Sequence, residues 1–308
     1  MQAIWMLAAS FFFAAMSACI KFAAPHFDLM ELVGYRGAIG IVFMAVLARA
    51  RGVPLQTQVP TMHLWRNVIG VAAMVAWFYA IANLPLATAI TLESMSSVWI
   101  AVFMVAGTVL MRRAGTLQGQ GPLLTAVIVG FVGVILVLGP TLGGDELFAG
   151  LIGLSGGMMA ALAYMEIAAL GRVGEPDTRT VFYYSIGCLL AGLAWIAIFG
   201  GHTLLQPAAL WLIPMGVLGG MGQLCMTRAF THGATIVVAN LQYSGIIFGA
   251  ILGFVFFGDR IPTIGWLGIA LIAASGMFAT ALRTRAAAPS QTHKEHAPCI
   301  PTSSRSIS

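Results

Sequence analysis

Polar and ionisable side chains lie near the centre of two otherwise apolar stretches of this sequence. Glu93 and Ser97 stand four residues apart in the first stretch, and Asn240 and Ser244 stand four residues apart in the second. Because helical residues four apart share a face, each pair predicts a polar patch on one side of a helix. Such a patch can bind a polar solute, and a carboxylate within it can also accept a proton.

The two stretches match when the chain is shifted by 147 residues, which places Glu93 over Asn240 and Ser97 over Ser244. This correspondence predicts a tandem duplication. Two membrane repeats with matching polar sites near mid-span are what a substrate cavity between the repeats requires. The residues therefore predict a binding site to which both halves of the chain contribute.

The composition identifies the bilayer as the solvent of this chain. Of its 308 residues, 59% are hydrophobic and only 8% are charged, and the mean hydropathy is +0.93. Membrane lipid is therefore an expected partner. The formal net charge of +5 comes from basic residues scattered singly between apolar segments, a pattern that argues against nucleic acid as a partner.

Ten apolar segments of the chain are long enough to cross a hydrocarbon core of roughly 30 Å as helices. They cover about residues 3–21, 31–48, 64–82, 87–110, 123–139, 147–170, 180–199, 208–229, 235–257 and 263–282. The sequence thus predicts an all-α polytopic membrane protein with ten transmembrane helices. We expect a first five-helix repeat over residues 1–140, a second over 141–285, and a disordered cytoplasmic tail over 286–308.

The distribution of Lys and Arg predicts the orientation of the helices. Odd-numbered connections carry only Lys21 and Arg260. Even-numbered connections and the start of the tail carry Arg49, Arg51, Arg66, Arg112, Arg113, Arg172, Arg179, Arg228, Arg283 and Arg285. The positive-inside rule therefore predicts that both termini are cytoplasmic. Because each repeat has an odd number of spans, the two repeats are predicted to be inverted relative to each other.

Two segments carry a resemblance to a known family. The first is Tyr79–Ala89, with the sequence YAIANLPLATA, and the second is the turn Phe257–Pro262, which is followed by Gly265, Gly268 and Gly276. Together with the ten-span duplication, they resemble EamA-type members of the drug/metabolite transporter superfamily. The resemblance implies a carrier of the bacterial inner membrane that has two five-helix repeats and moves a small metabolite without ATP.

Two inverted repeats make secondary transport by alternating access the predicted function. The sequence has no glycine-rich phosphate-binding loop ahead of a Lys-Ser or Lys-Thr pair, which agrees with transport that ATP does not drive. Carriers similar in length and layout move riboflavin or S-adenosylmethionine, and others export amino acids or drugs. Among these we favour a flat or amphipathic solute of the first kind. Exchange, proton antiport and facilitated diffusion all fit the sequence.

The candidate substrate-binding residues are polar and aromatic side chains within the predicted spans. They are Glu93, Ser97, Asn240, Ser244, Gln242, Tyr243, Trp77, Tyr79, Trp99, Arg36 and Gln223. Arg36 and Glu93 lie at similar depth, so two interpretations of Glu93 stay open. It is either a carboxylate that contacts the substrate or accepts a proton, or an ion-pair partner of Arg36.

The sequence predicts no catalytic residue, metal site or cofactor. The six histidines fall in separate connections or in the tail, whereas a membrane-embedded enzyme acting on lipid needs clustered His or Asp side chains. Such an enzyme and a nonenzymatic membrane sensor are the alternatives to a carrier, which we expect to be a monomer or homodimer. We expect solvated side chains for the acidic residues of the odd-numbered connections, Asp28, Glu31, Asp145 and Glu146.

Overall fold

A computed structural model describes residues 2–110, 121–138, 144–233, 238–239 and 241–287. The predicted tail beyond residue 287 lies outside these ranges. The α-helices are α1 (Gln2–Ala23), α2 (Leu29–Arg51), α3 (Pro60–Asn83), α4 (Leu86–Ser94), α5 (Ser96–Leu110), α6 (Gly121–Leu138), α7 (Gly144–Arg172), α8 (Asp177–Phe199), α9 (Leu212–His232), α10 (Ser244–Leu252) and α11 (Thr263–Ala287). A 3-10 turn (Pro207–Trp211) precedes α9, and a π-helical turn (Gly253–Phe257) follows α10.

Six of the described helices are long and apolar enough to cross a membrane. Shorter apolar helices cover Leu86–Ile100, Ile128–Val137, Ser244–Phe257 and Thr263–Phe278, which completes ten apolar segments in the described part of the chain. Each segment overlaps one predicted span. The prediction of an all-α polytopic membrane protein is therefore confirmed.

The fourth apolar segment is interrupted near its middle. Helix α4 ends at Ser94 and α5 begins at Ser96, with a turn at Met95 between them. The hydroxyl of Ser94 donates to a backbone carbonyl of the preceding turn at 2.8 Å, a bond that competes with regular helix geometry. Glu93 and Ser97, which the sequence predicts on one helix face, therefore belong to two helices that meet at this turn.

Contacts between connections agree with apolar segments that run alternately between two ends of the bundle. At one end, which we call the odd end, Lys21 at the close of α1 pairs with Asp259 before α11 at 3.1 Å. At the other, which we call the even end, His63 Nε2 lies 2.8 Å from Glu175 Oε1 of the α7–α8 connection. Residues of odd-numbered connections thus meet each other, as do residues of even-numbered connections.

The helix contacts follow the pattern expected of two matching halves. Helix α1 packs against α9, and α7, which the predicted duplication aligns with α1, packs against α3. Helix α2 packs against its own counterpart α8, and α6 packs against its counterpart α11. These are the contacts that a twofold relation between the halves would give. The boundary at residues 140 and 141 remains a prediction.

Glycines allow the counterpart helices to cross with their backbones in contact. A Cβ atom on Gly133 of α6 would lie 2.8 Å from the carbonyl oxygen of Gly268 in α11. Between α2 and α8, a Cβ atom on Gly34 would lie 2.9 Å from the Cα atom of Gly192. Backbone atoms cannot move aside as flexible side chains do, so larger residues at these positions would separate the helices.

The sequence predicts a solvated side chain for Glu31 at the odd end, and this prediction is wrong. Glu31 is 0% exposed. It accepts hydrogen bonds from the backbone N–H of Asp28 at 2.9 Å and from that of His202 at 2.7 Å. The α8–α9 connection brings His202 over the start of α2 and removes Glu31 from solvent. Glu146 is exposed as expected, and the Asp145 side chain lies outside the described part of the chain.

Candidate substrate cavity

A cavity of about 70 Å³ lies between the two halves of the chain. Helices α1, α3 and α4 line it from the first half, and α7, α8, α9 and the start of α10 line it from the second. Arg66 and Tyr184 lie roughly 10 Å inside the even end, because a helix rises about 1.5 Å per residue. An apolar wall with a few convergent polar groups is the usual form of a small-molecule site.

Glu93 brings a carboxylate to this cavity. It lies in the last turn of α4, and the hydroxyl of Tyr164 donates to Glu93 Oε1 at 2.7 Å. The ring of Tyr164 is stacked on Phe230 with centroids 5.0 Å apart, which holds its hydroxyl in place. A carboxylate has several acceptor positions, so the bond to Tyr164 leaves capacity for a solute or a proton.

Arg66 brings a buried cation to the same cavity. Its side chain is 3% exposed, and its guanidinium carbon lies 4.2 Å from the centroid of the Tyr184 ring. The guanidinium lies against Gly70, where a Cβ atom would collide with it, and the Tyr184 hydroxyl donates to the Gly70 carbonyl oxygen at 3.0 Å. Arg66 Nε and Nη1 have no hydrogen-bond partner within the residues that the structure describes. The cavity therefore contains donors that lack an acceptor.

Arg36 reaches the cavity through Gln223. Arg36 Nη2 donates to Gln223 Oε1 at 3.3 Å, and Gln223 lines the wall. The interpretation of Glu93 as an ion-pair partner of Arg36 is not supported, because the two residues form no ion pair in the structure. Arg36 instead bonds to α9, and Glu93 bonds to Tyr164.

The turn before α10 presents an amide to the cavity. The hydroxyl of Ser96 donates to Gln242 Oε1 at 3.1 Å, and that of Ser97 lies 3.5 Å from the same atom. Ser97 also donates to the carbonyl oxygen of Ala239 at 2.7 Å. Gln242 lines the cavity and Ser97 does not, so Ser97 positions Gln242 from behind.

Aromatic rings form part of the apolar wall. Trp77 is 7% exposed, and Phe13 meets it edge-on with centroids 5.8 Å apart. Trp77 Nε1 is a further donor without a partner in the described part of the chain. The wall therefore combines ring surface for a flat solute with donors for its polar atoms.

Comparison with known proteins identifies the family. Residues 147–281 match the model of the EamA-like transporter family. The pseudopaline exporter CntI of Pseudomonas aeruginosa is 31% identical over 256 residues, which cover 82% of this chain and 86% of the relative. The chain belongs to the EamA-like transporter family. It is a multi-pass bacterial membrane protein that transports a small molecule, and it is not an enzyme.

Further comparisons extend over both halves of this EamA-like transporter. A riboflavin transporter of Vibrio cholerae is 26% identical over 294 residues, which cover 92% of this chain and 94% of the relative. One solved crystal structure, 15% identical, matches with a TM-score of 0.66 over 93% of this chain and 99% of that chain. At that identity the structural match shows a shared fold.

Four of the predicted site residues line the cavity of this EamA-like transporter: Trp77, Glu93, Gln223 and Gln242. Two more, Arg36 and Ser97, bond to cavity residues without lining the wall. Asn240 lies outside the described residues, so its correspondence to Glu93 remains a prediction.

The other four predicted residues lie away from the cavity. Trp99 packs edge-on against Phe131 of α6 with centroids 5.4 Å apart, because the turn at Met95 sets α5 apart from α4. Tyr79 packs edge-on against Phe148 of α7 at 6.0 Å, outside the cavity wall. Tyr243 lies in the apolar core, and Ser244 donates to a backbone carbonyl one turn earlier at 2.7 Å.

Sequence reasoning missed Arg66, Tyr184 and Ser10 as cavity residues. It counted Arg66 with the arginines of the second connection, which set orientation, although the predicted span 64–82 includes this residue. In the structure α3 begins at Pro60 and carries Arg66 in its second turn. The one available signal is Gly70, four residues later, which leaves space along the helix for a guanidinium.

In the part of the chain that the structure describes, no group of three potential metal ligands lies among the cavity residues of this EamA-like transporter. The one group of three potential metal ligands in the described part of the chain is Asp28, Glu31 and His202 at the odd end, with ligand atoms within 4.8 Å. Glu31 Oε2 lies 2.7 Å from His202 Nδ1, and Trp195 donates to Asp28 at 3.2 Å. These atoms bond within the protein.

Proposed function

We propose that this chain is a secondary transporter that moves a small metabolite across the bacterial inner membrane by alternating access. The observation that carries the proposal is the cavity, whose charged residues come from the first half and whose neutral polar partners come from the second. A site shared in this way changes when one half moves against the other, which is the requirement for opening to either side.

We further propose that the two ends of the bundle open in alternation. The cavity lies toward the even end, while the connections of the odd end are joined by the Lys21–Asp259 pair and by Glu31 with His202. Opening the odd end requires these contacts to separate. Opening the even end likewise requires its paired residues, His63 and Glu175, to separate.

The repeat boundaries and the orientation are part of the same proposal. We propose that residues 1–140 and 141–285 are inverted five-helix repeats and that both termini are cytoplasmic. The helix pairs that match across the two halves support this division, and the arginines of the even-numbered connections support a cytoplasmic even end.

For the solute, we propose a flat or amphipathic metabolite of the size of riboflavin or S-adenosylmethionine. The Trp77 and Phe13 rings and the Tyr164 side chain supply ring surface beside polar groups. The names of the relatives, a pseudopaline exporter and a riboflavin transporter, support a small solute and differ in the compound. An amino acid or a drug exported by the same scaffold is the alternative.

The proposal is tested by flux measurements on purified protein in liposomes under imposed pH gradients. Solutes that stabilise the protein against heat, including riboflavin and S-adenosylmethionine, are the substrates to test. We expect Glu93→Gln to lower the flux or to remove its pH dependence, because the variant retains the size of the side chain and loses the charge.

The matched control is Glu166→Gln, which removes a carboxylate from α7 outside the cavity wall. We expect this control to transport as wild type does at equal protein density. Unchanged rates and unchanged pH dependence in Glu93→Gln would rule out a transport role for this carboxylate, and absence of flux for every stabilising solute would contradict the transporter proposal.

A further inference from the structure

We propose that Arg66 binds the carboxylate of the transported solute, and that the solute also carries a protonated nitrogen, which Glu93 binds. This inference rests on the proposed transport function and narrows its solute class. It selects amphoteric metabolites, such as amino acids and S-adenosylmethionine, over riboflavin, which has no carboxylate.

The first step of the argument is the charge state of the cavity. Arg66 is 3% exposed and forms no ion pair among the residues that the structure describes. Arg36, a second buried arginine, likewise has neutral partners, with Gln223 Oε1 at 3.3 Å and the Gly219 carbonyl oxygen at 3.5 Å. An unpaired buried cation is costly, so a site that retains one is suited to an anionic ligand.

The second step is the direction of the missing hydrogen bonds. Arg66 Nε, Arg66 Nη1, Arg36 Nε and Trp77 Nε1 are all donors, and none has an acceptor in the described part of the chain. Arg66 and Trp77 both line the cavity. A ligand that satisfies them must supply acceptor oxygens, and a carboxylate supplies two in the planar arrangement that a guanidinium matches.

The third step is the support that holds Arg66 in position. Its guanidinium lies 4.2 Å from the Tyr184 ring centroid, and only a glycine at position 70 leaves room for it beside α3. Tyr184 belongs to the second half of the chain, and its hydroxyl donates to the Gly70 carbonyl oxygen of the first half at 3.0 Å. This hydrogen bond holds the ring against α3. Such support restricts the guanidinium before any solute arrives, which favours binding.

The fourth step is the opposite charge. Glu93 is fixed by the Tyr164 hydroxyl at 2.7 Å and has acceptor positions left for a donor on the solute. A solute with both an anionic and a cationic group pairs Arg66 and Glu93 at once. A solute with a carboxylate alone would leave Glu93 unpaired.

The test is a thermal-stability panel on the purified full-length protein in detergent. The probes are the common amino acids, each beside its C-terminal amide and its decarboxylated amine, together with S-adenosylmethionine and riboflavin. We expect the strongest stabiliser to be an amphoteric compound and to bind at least about tenfold more tightly than its carboxylate-free analogue, the size expected for a hydrogen bond between charged groups.

Three variants test whether the preference for the amphoteric compound over its carboxylate-free analogue depends on Arg66. Arg66→Gln should remove it, and Arg66→Lys, which keeps the charge without the planar fork, should retain part of it. Arg228→Gln should leave it unchanged, because Arg228 also packs on an aromatic ring, 4.8 Å from Trp5, but lies outside the cavity wall. If Arg66→Gln does not fold, the Arg66→Lys result decides.

Each outcome supports the inference or overturns it. It is overturned if riboflavin or another carboxylate-free probe is the strongest stabiliser, if the preference survives in Arg66→Gln, or if no probe stabilises the wild type. Flux in liposomes separates this failure from failure of the transport proposal. Equal riboflavin flux in wild type and Arg66→Gln would leave transport standing, whereas a stabilising amphoteric probe that is never moved would contradict transport alone.

Discussion

Charged side chains at the ends of the bundle differ from those around the cavity in how they are paired. At the odd end Lys21 pairs with Asp259 at 3.1 Å, and at the even end Glu175 contacts both His63 at 2.8 Å and Arg179 at 3.1 Å. Around the cavity, Arg66 has donors without acceptors in the described part of the chain.

The difference separates groups that hold the fold together from groups that are available to a solute. A buried polar group that lacks a partner costs stability, so a protein retains one where another molecule supplies the partner. The comparison therefore predicts that mutations at the ends change stability first, and that mutations around the cavity change solute binding first.

The largest expected effect is on stability, at the buried carboxylate of the odd end. We expect Glu31→Ala to destabilise the protein by about 3 kcal/mol, because it leaves the backbone N–H groups of Asp28 and His202 without their acceptor. Thermal unfolding in detergent measures the change. Glu146→Ala, at an exposed position of the same end, should change stability by less than about 0.5 kcal/mol. Equal melting temperatures for the two variants would break the comparison.

A second prediction concerns the cavity, where binding should change with little change in stability. Gly70→Ala places a methyl group where the Arg66 guanidinium lies, and this long side chain can move away. We expect solute affinity to fall by up to about tenfold, or roughly 1.4 kcal/mol. Titration of the stabilising solute measures the effect.

The control is Gly107→Ala, since a Cβ atom on Gly107 meets no atom of the described part of the chain within 4 Å. Both substitutions gain a similar helix propensity, about 1 kcal/mol, so this contribution cancels between them. If the two variants bind the solute equally well, Arg66 does not depend on the space beside Gly70.

A smaller effect is expected at the Lys21–Asp259 pair. Asp259 accepts from Lys21 Nζ at 3.1 Å and from the backbone N–H of Leu86 at 2.9 Å, and both side chains are partly exposed. We expect Asp259→Asn to cost about 1 kcal/mol. A double-mutant cycle with Lys21→Gln should return a coupling of less than about 1 kcal/mol. A coupling several times larger would mean that this end is held by its charges more than the comparison allows.

The sequence predicts the helices well because apolar length is a local property. Each of the ten predicted spans overlaps an apolar helical segment. The cavity is harder to predict, since the environment of Arg66 depends on Tyr184, which follows it by more than a hundred residues and packs against α3 only in the folded chain. An arginine near a helix end is ordinarily a sign of orientation, and Gly70, four residues later, is the one local feature that marks Arg66 as different.

Glu31 shows the same limit in a different way. The local part of its environment is visible in the sequence, because Asp28 and Glu31 have the spacing of a capping box. Its burial depends on His202, which lies in a distant connection. Interactions within one turn are therefore predictable from the sequence, and those between the halves are not.

The smallest predicted effects are on the pH dependence of stability, and they have opposite signs at the two ends. At the odd end the hydrogen bond to Glu31, followed by the charge of that carboxylate, raises the pKa of His202 above its ordinary value of 6.5. The folded state therefore favours protonated His202. This contribution is fully present below pH 6.5 and is lost as the pH rises through the raised pKa of the folded state.

At the even end the balance is reversed. Burial acts most strongly on Glu175 and raises its pKa, but hydrogen bonds from His63 and Thr57 and the charge of Arg179 together outweigh it, so the pKa lies below its ordinary value of 4.5. This contribution is present above pH 4.5 and is lost as the pH falls through the lowered pKa. Melting temperatures measured between about pH 3 and pH 9 test both statements. In His202→Gln we expect the melting temperature no longer to fall as the pH rises. In Glu175→Gln we expect it to fall less than in the wild type as the pH is lowered. If both variants flatten the same side of the profile, the two ends do not respond to protons in opposite directions.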